Sequence, residues 1–260
     1  MPINNEIYST QATGWWEENH FLHLLKTGMN PARFGYFHDV LTRQLALDPA
    51  KLALLDVGCG GGVLSEEFAR TGCQVTGIDP SAPSLEVARW HAAGSGLQID
   101  YREARGEEIP FEEGRFGVVV CCDVLEHVGD LEKVIGEVAR VLKHGGVLCY
   151  DTINRTEASR KENIFAAQQF PLTSFFPPDT HVWEKFITPE EILALFEQAG
   201  LENRAMTGLR SRLPDLQVAG LLFQRKLGLL TYAELGRRLK FTAGGGLEAS
   251  YLGWAVKKAR

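Results

Sequence analysis

The sequence predicts an α/β protein with a Rossmann-like, mostly parallel sheet of seven strands, helices on both faces and an antiparallel C-terminal strand. Two observations predict it. From about residue 52, short apolar runs alternate with amphipathic stretches, as in parallel strands joined by helical crossovers. A glycine-rich segment at 58–62 follows the first apolar run, where sheets of this kind turn into their first helix.

The core elements follow in chain order. Each predicted strand is a short apolar run between turn residues, at 52–57, 74–79, 97–101, 116–122 and 147–153. Each predicted helix has apolar residues three and four positions apart, at 63–71, 84–93 and 131–142. Gly145 and Gly146 end the last of these helices.

The chain is longer than such a core requires. Roughly 150 residues suffice, so about a hundred of the 260 have another purpose. They fall in three additions, residues 1–46, 156–187 and 210–248. We expect 1–46 to be mostly helical, with Pro31 at a helix start, and the aromatic, proline-rich 156–187 to form a helix followed by a loop.

The rest of the C-terminal part, residues 188–260, continues the core. Thr188 and Pro189 are typical of a helix start, with Thr188 as the cap, and 251–256 is predicted as a closing strand. We therefore expect a single domain over 1–260, in which residues 50–155 bind a cofactor and the additions form a lid over the substrate.

Charge narrows the classes of partner. The net charge of −6 argues against a general nucleic-acid binder, which needs a basic surface. Residues 201–260 nevertheless carry 11 Lys and Arg against 4 Asp and Glu. Within them, 221–241 is predicted as a basic amphipathic stretch, which suits peripheral contact with a membrane, a substrate lid or a dimer interface. The oligomeric state itself has no signal in the sequence.

Cysteine usage and the N-terminus indicate a cellular compartment. The five cysteines include no Cys-x-x-Cys pair, which favours a reducing compartment and argues against a structural zinc site. Residues 1–6 lack the charge and apolar run of a secretion signal, and no stretch approaches eighteen apolar residues. We expect a cytoplasmic protein, with contact at the inner membrane face through 221–241 as an option.

The glycine segment and a following acid predict a nucleoside site. Gly58 and Gly60 lie in the turn, and Asp79 ends the next predicted strand. Glycines let the backbone approach a ligand, and a carboxylate at the second strand tip accepts hydrogen bonds from ribose hydroxyls. Asp56 would repel a pyrophosphate, whereas it attracts the ammonium and sulfonium of S-adenosylmethionine. Together with Val63, where the dinucleotide pattern needs a small residue, it favours S-adenosylmethionine over NAD.

These residues carry a resemblance to a known family. Residues 56–62, Asp79 and the segment 123–127 (Asp-Val-Leu-Glu-His) resemble the class I S-adenosylmethionine-dependent methyltransferases. Flanking motifs are similar to the ubiquinone-biosynthesis O-methyltransferases, which methylate demethylubiquinol and a related polyprenyl catechol. These motifs are Trp15-Trp16, the segment 30–36 (Asn-Pro-Ala-Arg-Phe-Gly-Tyr), the segment 151–155 (Asp-Thr-Ile-Asn-Arg), and Thr180-His181 with Lys185-Phe186-Ile187.

The resemblance implies a role for several residues in binding the cofactor. It assigns the methionine carboxylate to Arg33, the aminoacyl part to Gly58, the ribose to Asp79 and a backbone contact to Cys122. The family's adenine contact usually involves an acid, and Arg105 stands in its place. We therefore expect backbone groups of Arg105 and Gly106 to serve there.

Catalysis needs a group that removes the phenol proton, because a phenol with a pKa near 10 is mostly protonated at neutral pH. Asp123, Glu126 and His127 would share one side of a helical turn and could hold a divalent ion such as Mg²⁺. The resemblance supports this metal site. The alternative is catalysis by His127 and Glu126 without metal, with His127 as the base. His181 either reaches the substrate or packs in the interior.

The function predicted from these observations is methyl transfer from S-adenosylmethionine to a small aromatic substrate, a phenol or catechol, such as a ubiquinone precursor. Another small aromatic or secondary metabolite is the alternative acceptor. A nucleoside-binding module without catalysis and an NAD oxidoreductase remain as alternatives of other classes, and Asp56 and Val63 argue against the oxidoreductase. Residues 221–241 exceed the family pattern, which weighs against a polyprenyl substrate.

Overall fold

The computed structural model describes residues 3–259, so that Met1, Pro2 and Arg260 of the predicted segments 1–46 and 188–260 lie outside it. Residues 3–259 form one sheet of eight strands in the order β3-β2-β1-β4-β5-β8-β6-β7. The strands are β1 Ala53–Val57, β2 Gln74–Asp79, β3 Asp100–Glu103, β4 Phe116–Cys121, β5 Leu142–Ile153, β6 Leu201–Ser211, β7 Phe241–Ala243 and β8 Ser250–Lys257.

The pairing confirms the predicted fold class. β1 to β5 run parallel, and β8 is antiparallel to both β5 and β6. The strand beyond the predicted seven is β7, which pairs antiparallel with residues 209–211 of β6. β5 begins at Leu142 rather than at residue 147, because the chain pairs with Phe116 before Gly145 adopts a left-handed φ of 75° and shifts the register.

Helices cover both faces of the sheet. They are α1 Glu6–Thr10, α2 Asn30–Asp39, α3 Val63–Arg70, α4 Ala82–Gly94, α5 Leu131–Val141, α6 Glu157–Ser159, α7 Pro189–Gln198, α8 Asp215–Lys226 and α9 Tyr232–Leu239. Wider π-helical turns extend α2 on both sides, at Leu25–Met29 and Val40–Gln44, and continue α6 over Arg160–Gln169. The predicted start of α7 is confirmed, since the Thr188 hydroxyl accepts the Glu191 amide in a capping box.

The core has two apolar layers, one on each face of the sheet. Neighbouring residues of β4 point to opposite layers, so Val119 packs with α5 and α7 while Val118 and Val120 pack with α2 and α3. All three valines are fully buried. Burying an aliphatic side chain of this size contributes about 1.5–3 kcal/mol. This double cover explains why the strand is a continuous apolar run.

Residues 221–241, the predicted basic amphipathic stretch, cover the end of α8, a turn and α9. α8 ends at Lys226, Gly228 adopts a φ of 74°, and α9 begins after the Thr231 cap. Leu230 and Leu235 are buried, whereas Leu227 is 57% exposed. Leu227 therefore lies at the surface and Leu230 and Leu235 in the interior, because the turn at Gly228 changes the direction of the chain.

The three additions meet in one apolar cluster. Leu24, Phe175 and Leu235, one from each addition, belong to it together with Phe241 of β7. No helix within residues 3–259 is long and apolar enough to cross a bilayer. The additions thus pack on one another beside the sheet, and they surround the cavities described next.

Candidate active site

The glycine turn after β1 is shaped for close approach. Gly58, Gly60 and Gly62 have left-handed φ values of 70°, 51° and 79°. A Cβ on Gly60 would lie 2.5 Å from the Trp15 ring, and one on Gly58 would lie 2.2 Å from Val124. Only glycine fits these positions. The turn leads directly into α3, whose first amide groups are free to face a ligand.

Asp79 lies beside this turn at the end of β2. Its carboxylate accepts hydrogen bonds from the amides of Gly60 (2.9 Å) and Ser81 (2.8 Å). Burial raises the pKa of Asp79, and the two amide bonds oppose that shift. The acid predicted to hold a ribose therefore stands at the strand tip, fixed by the glycine turn itself.

Asp56, the last residue but one of β1, is buried below the same turn. The Ser65 hydroxyl of α3 donates to its carboxylate at 2.6 Å. Burial raises the pKa of Asp56 to about 7. A positive ligand group nearby would favour the ionised form and lower that pKa.

A cavity of about 390 Å³, called here the glycine-loop cavity, opens at these strand ends. Its walls include every residue predicted to bind the cofactor: Arg33, Asp56, Gly58, Gly60, Asp79, Arg105, Gly106 and Cys122. Sequence reasoning missed its roof, which residues 3–24, the N-terminal cover, supply. Tyr8, Ser9 and Trp15 line the cavity from this cover. Trp15 belongs to one of the flanking motifs, which marked it as a family residue, but that motif did not predict its position over the glycine turn.

Arg33 is a buried cation in the wall of this cavity. Its guanidinium pairs with Asp123 at 2.7 Å and with Asp151. Asp151 also accepts the Asp123 amide at 2.8 Å, which holds Asp123 at a left-handed φ of 54°. Asp151 thus joins Arg33 to the loop after β4. The sequence analysis quoted Asp151 in a motif but assigned it no part in the site.

A second cavity of about 1610 Å³, the large apolar cavity, adjoins the first. Four residues line both: Tyr8, Leu25, Asp123 and His127. Aromatic and leucine side chains from the additions and β7 form much of its wall, among them Phe165, Phe175, Phe176, Leu222, Leu239 and Phe241. The additions therefore enclose a site far larger than a single aromatic ring needs.

Comparison with known proteins identifies the family. A family described as "Methyltransferase domain" matches residues 55–150. The ubiquinone biosynthesis O-methyltransferase of Methylobacterium sp. (strain 4-46) is 38% identical over 204 residues, 76% of this chain and 81% of that protein. The protein of the same name from Ruegeria sp. (strain TM1040) is 41% identical over 203 residues, 75% and 80% of the two chains. The chain belongs to the ubiquinone biosynthesis O-methyltransferase family.

The fold agrees with solved methyltransferase structures. An S-adenosylmethionine-dependent methyltransferase from Methanosarcina mazei superimposes with a TM-score of 0.56 at 21% identity, covering 80% of this chain and 93% of that one. Because the chain belongs to the family named above, it is an S-adenosylmethionine-dependent methyltransferase. The oxidoreductase and the module without catalysis are set aside.

The residues of the glycine-loop cavity fit S-adenosylmethionine. The cofactor carries a ribose diol, a carboxylate and two positive centres, and the wall offers the Asp79 carboxylate, the Arg33 guanidinium and the buried acid Asp56. The glycine turn leaves room for its backbone approach, since any Cβ there would clash.

His127 stands where this methyltransferase's two cavities meet. Its Nδ1 lies 3.1 Å from Asn5 Oδ1, and the rings of Tyr8 and His181 lie 5.7 Å and 5.3 Å away, centroid to centroid. Burial lowers the pKa of His127 to about 4, so the ring is neutral at physiological pH. His181 lines the large apolar cavity, and its buried Nδ1 has no hydrogen-bond partner within residues 3–259.

The expected magnesium ligands do not fit a metal ion. Within the described part of the chain, no group of three His, Cys, Asp or Glu side chains is arranged to hold one. Asp123 is paired with Arg33, and Glu126 Oε2 accepts from Thr152. The predicted common helical turn is wrong, since Asp123 is left-handed and only Leu125–His127 form a short 3-10 turn.

Glu126 also stands apart as a catalytic candidate. It is 1% exposed and does not line either cavity. Burial and the nearby Asp123 raise its pKa, which favours the protonated form. A protonated carboxyl is a poor ligand and a poor base.

Proposed function

We propose that this methyltransferase methylates a phenolic hydroxyl of a prenylated catechol or a demethylubiquinol-type quinol. The large apolar cavity carries the proposal, because its walls suit a long hydrocarbon tail and it shares Tyr8, Leu25, Asp123 and His127 with the glycine-loop cavity. The name of the curated relatives supports the same class of acceptor. The segment 221–241, which weighed against such a substrate, instead supplies part of the apolar wall through Leu222 and Leu239.

The cofactor is held, in this proposal, by groups at the strand tips. Asp79 accepts hydrogen bonds from the ribose hydroxyls, and Arg33 binds the methionine carboxylate. Asp56 stabilises the positive end through the ionised form of its carboxylate. Gly58 and the backbone at Cys122 contact the aminoacyl side.

Backbone groups of Arg105 and Gly106 contact the adenine. Both residues line the glycine-loop cavity in the segment after β3. Arg105 also forms an isolated bridge with Glu108, which fixes the local backbone. A backbone contact there needs no acidic side chain, so the arginine in place of the family's acid is compatible with the site.

His127 accepts the proton of the acceptor hydroxyl. S-adenosylmethionine supplies a methyl group on a sulfonium, and the O–C bond forms as the C–S bond breaks and its electron pair stays on sulfur. Holding the reacting atoms in line contributes up to about 7–11 kcal/mol. The hydroxyl becomes strongly acidic as it is methylated, so an imidazole with a pKa of about 4 suffices to take its proton at that stage and pass it to water.

The tail of such an acceptor arrives most readily from a lipid surface. Leu216, Leu227 and Leu229 at and after α8 are 84%, 57% and 67% exposed, and Arg225 and Lys226 lie beside them. The inner side of α8 lines the large apolar cavity. We include peripheral contact with an anionic membrane through this surface in the proposal.

Turnover against a graded set of acceptors tests the function. Catechols with no tail, one prenyl unit and several units are incubated with S-adenosylmethionine, and O-methyl products are measured by mass spectrometry. We expect kcat/KM to rise at least about 10-fold with the first prenyl unit, because burial of each CH₂ is worth up to about 0.8 kcal/mol. Equal kcat/KM across the set would instead favour a small aromatic acceptor.

Flotation with vesicles tests the membrane contact separately. Vesicles of anionic and of zwitterionic lipid are compared for the wild-type protein and a variant with Leu216→Gln, Leu227→Gln and Leu229→Gln. We expect anionic vesicles to retain the wild-type protein and to lose the variant. Equal retention of the two proteins would contradict the assignment of this surface.

A further inference from the structure

The N-terminal cover contacts the candidate base directly. Asn5, the residue before α1, places its side-chain amide against His127, which is 122 positions later in the chain. Asn5 Nδ2 donates to the main-chain oxygen of His127 at 3.0 Å, and Asn5 Oδ1 lies 3.1 Å from the ring Nδ1. The Asn5 side chain therefore forms hydrogen bonds with both the backbone and the ring of His127.

These two contacts decide which ring nitrogen of His127 carries the hydrogen. A main-chain carbonyl can only accept, so the amide atom that faces it is the NH₂ group, and the atom that faces Nδ1 is the amide oxygen. That oxygen can only accept, so Nδ1 carries the hydrogen. A neutral imidazole has one N–H, which leaves the lone pair on Nε2.

Nε2 of His127 is left available. No residue within 3–259 forms a hydrogen bond with it, and it is not one of the enclosed polar atoms that lack a partner. The residue lines both cavities, so the open ring nitrogen belongs to a side chain at the junction of the cofactor side and the acceptor side. The opposite tautomer would present a donor there, which cannot accept a phenolic hydrogen.

The same segment that holds His127 also roofs the glycine-loop cavity. The Ser9 hydroxyl bonds to Ser81 at 2.9 Å, and the Ser84 hydroxyl donates to the Tyr8 carbonyl at 2.7 Å. These bonds fasten α1 to Ser81, the cap of α4 two residues beyond Asp79, and to Ser84 in the first turn of α4. The Tyr8 ring meets His127 edge-on from this position. The segment at α1 thus both covers the glycine-loop cavity and contacts His127.

We propose that Asn5 is a positioning residue that holds His127 as its Nδ1–H tautomer with Nε2 free for the acceptor hydroxyl. The hydrogen bond at one ring nitrogen commonly selects the role of the other. Closure of the N-terminal cover over the cofactor then also completes the base. This inference rests on the proposed function, in which His127 faces the acceptor.

The test compares Asn5→Ala and Asn5→Asp with Thr10→Ala, an exposed change on the same helix whose hydroxyl bonds only to Glu6 of that helix. Nitrogen-15 NMR of the protein with S-adenosylhomocysteine reads the tautomer, and His127→Gln assigns the signals. We expect Nδ1–H in the wild-type, Thr10→Ala and Asn5→Asp proteins, and Nε2–H in Asn5→Ala. Turnover should show a loss in kcat of about 10- to 100-fold for Asn5→Ala, partial recovery for Asn5→Asp, and a nearly constant KM for S-adenosylmethionine.

An Nε2–H signal in the wild-type protein would overturn the inference, and so would an Asn5→Ala variant that keeps both its tautomer and its kcat. A loss confined to cofactor affinity would also contradict the inference, since Asn5 would then only cover the cofactor and would not position His127. The NMR measurement of the tautomer needs no acceptor. If the protein methylates no prenylated catechol, the proposed function is wrong, and the NMR result still decides the role of Asn5.

Discussion

The glycine-loop cavity takes its carboxylates and glycines from the carboxyl ends of β1, β2 and β4 and its guanidinium from Arg33 of α2, whereas the large apolar cavity takes much of its wall from the three additions and β7. The first site contains three buried charged groups, Asp56, Asp79 and Arg33, each fixed by hydrogen bonds or ion pairs. The second depends on apolar packing among the three additions. Changes in one site should therefore alter cofactor affinity, and changes in the other should alter the use of the acceptor.

The largest effect is expected at Asp79. Asp79→Ala removes the acceptor that we propose for two ribose hydroxyls. Each charged hydrogen bond is worth about 1.5–3 kcal/mol, so affinity for S-adenosylhomocysteine should fall about 100-fold or more. Calorimetry measures it. Glu103→Ala, at the exposed tip of the neighbouring β3, is the matched control. Unaltered affinity in Asp79→Ala would show that the acid does not bind the ribose.

Leu222→Gln tests the large apolar cavity separately from the cofactor site, because it places an amide in the apolar wall. We expect KM for a prenylated catechol to rise about 10-fold because the tail loses apolar contact, with cofactor affinity unchanged. Steady-state kinetics with each substrate varied in turn measures both. Leu193→Gln, on the exposed side of α7, should leave both values unaltered. Equal losses for both substrates would mean that the two cavities are not independent.

A dependence on pH is expected on the cofactor side. Burial raises the pKa of Asp56 to about 7 in the free protein, and a positive ligand favours the ionised carboxylate. Below pH 7 binding must therefore displace a proton, and affinity should fall by up to about 10-fold per pH unit as the pH decreases. Calorimetry at pH 6, 7 and 8 measures this slope with S-adenosylmethionine. Asp56→Asn cannot titrate, so a slope that survives in that variant would assign the effect to another group.

The smallest effect on turnover is expected at Glu126, which lines neither cavity. Glu126→Gln keeps the shape and a hydrogen bond to Thr152, so kcat should stay within about 2-fold. Assays with a chelator and with added magnesium accompany it. Loss of turnover in Glu126→Gln that parallels the effect of the chelator would restore the metal interpretation of Asp123, Glu126 and His127.

Stability offers an independent measurement on Glu126. Burial raises its pKa in the folded state, so above its ordinary value of 4.5 the folded protein keeps a proton that the unfolded chain releases. The wild-type protein therefore loses stability as the pH rises through this range, until the folded carboxyl ionises too. Glu126→Gln lacks that loss. Its Tm should exceed the wild-type value by more at pH 8 than at pH 5, and a constant difference would contradict the raised pKa.

The core and the glycine turn with its neighbouring acid followed from local sequence signals. The glycines at 58–62 need left-handed backbone and Asp79 ends a strand, so both positions are set by residues close in sequence. The helix start at Thr188 was predicted for the same reason. Asp123, Glu126 and His127 show the limit of such reasoning. Their spacing suited a helical turn, but pairing of Asp123 with Arg33, 90 residues away, took the segment out of helical geometry.

The sequence by itself determined the fold class, the cofactor and the residues that line the glycine-loop cavity, because strand period, glycine conformation and the charge of an acid act over a few residues. Only the tertiary structure decided which residues enclose the large apolar cavity, which residues roof the glycine-loop cavity and which side chain contacts His127. Those arrangements join Asn5 to His127, Leu24 to Leu235 and Arg33 to Asp151. Contacts over such separations depend on how the additions pack on the sheet, and no local pattern in the chain encodes that packing.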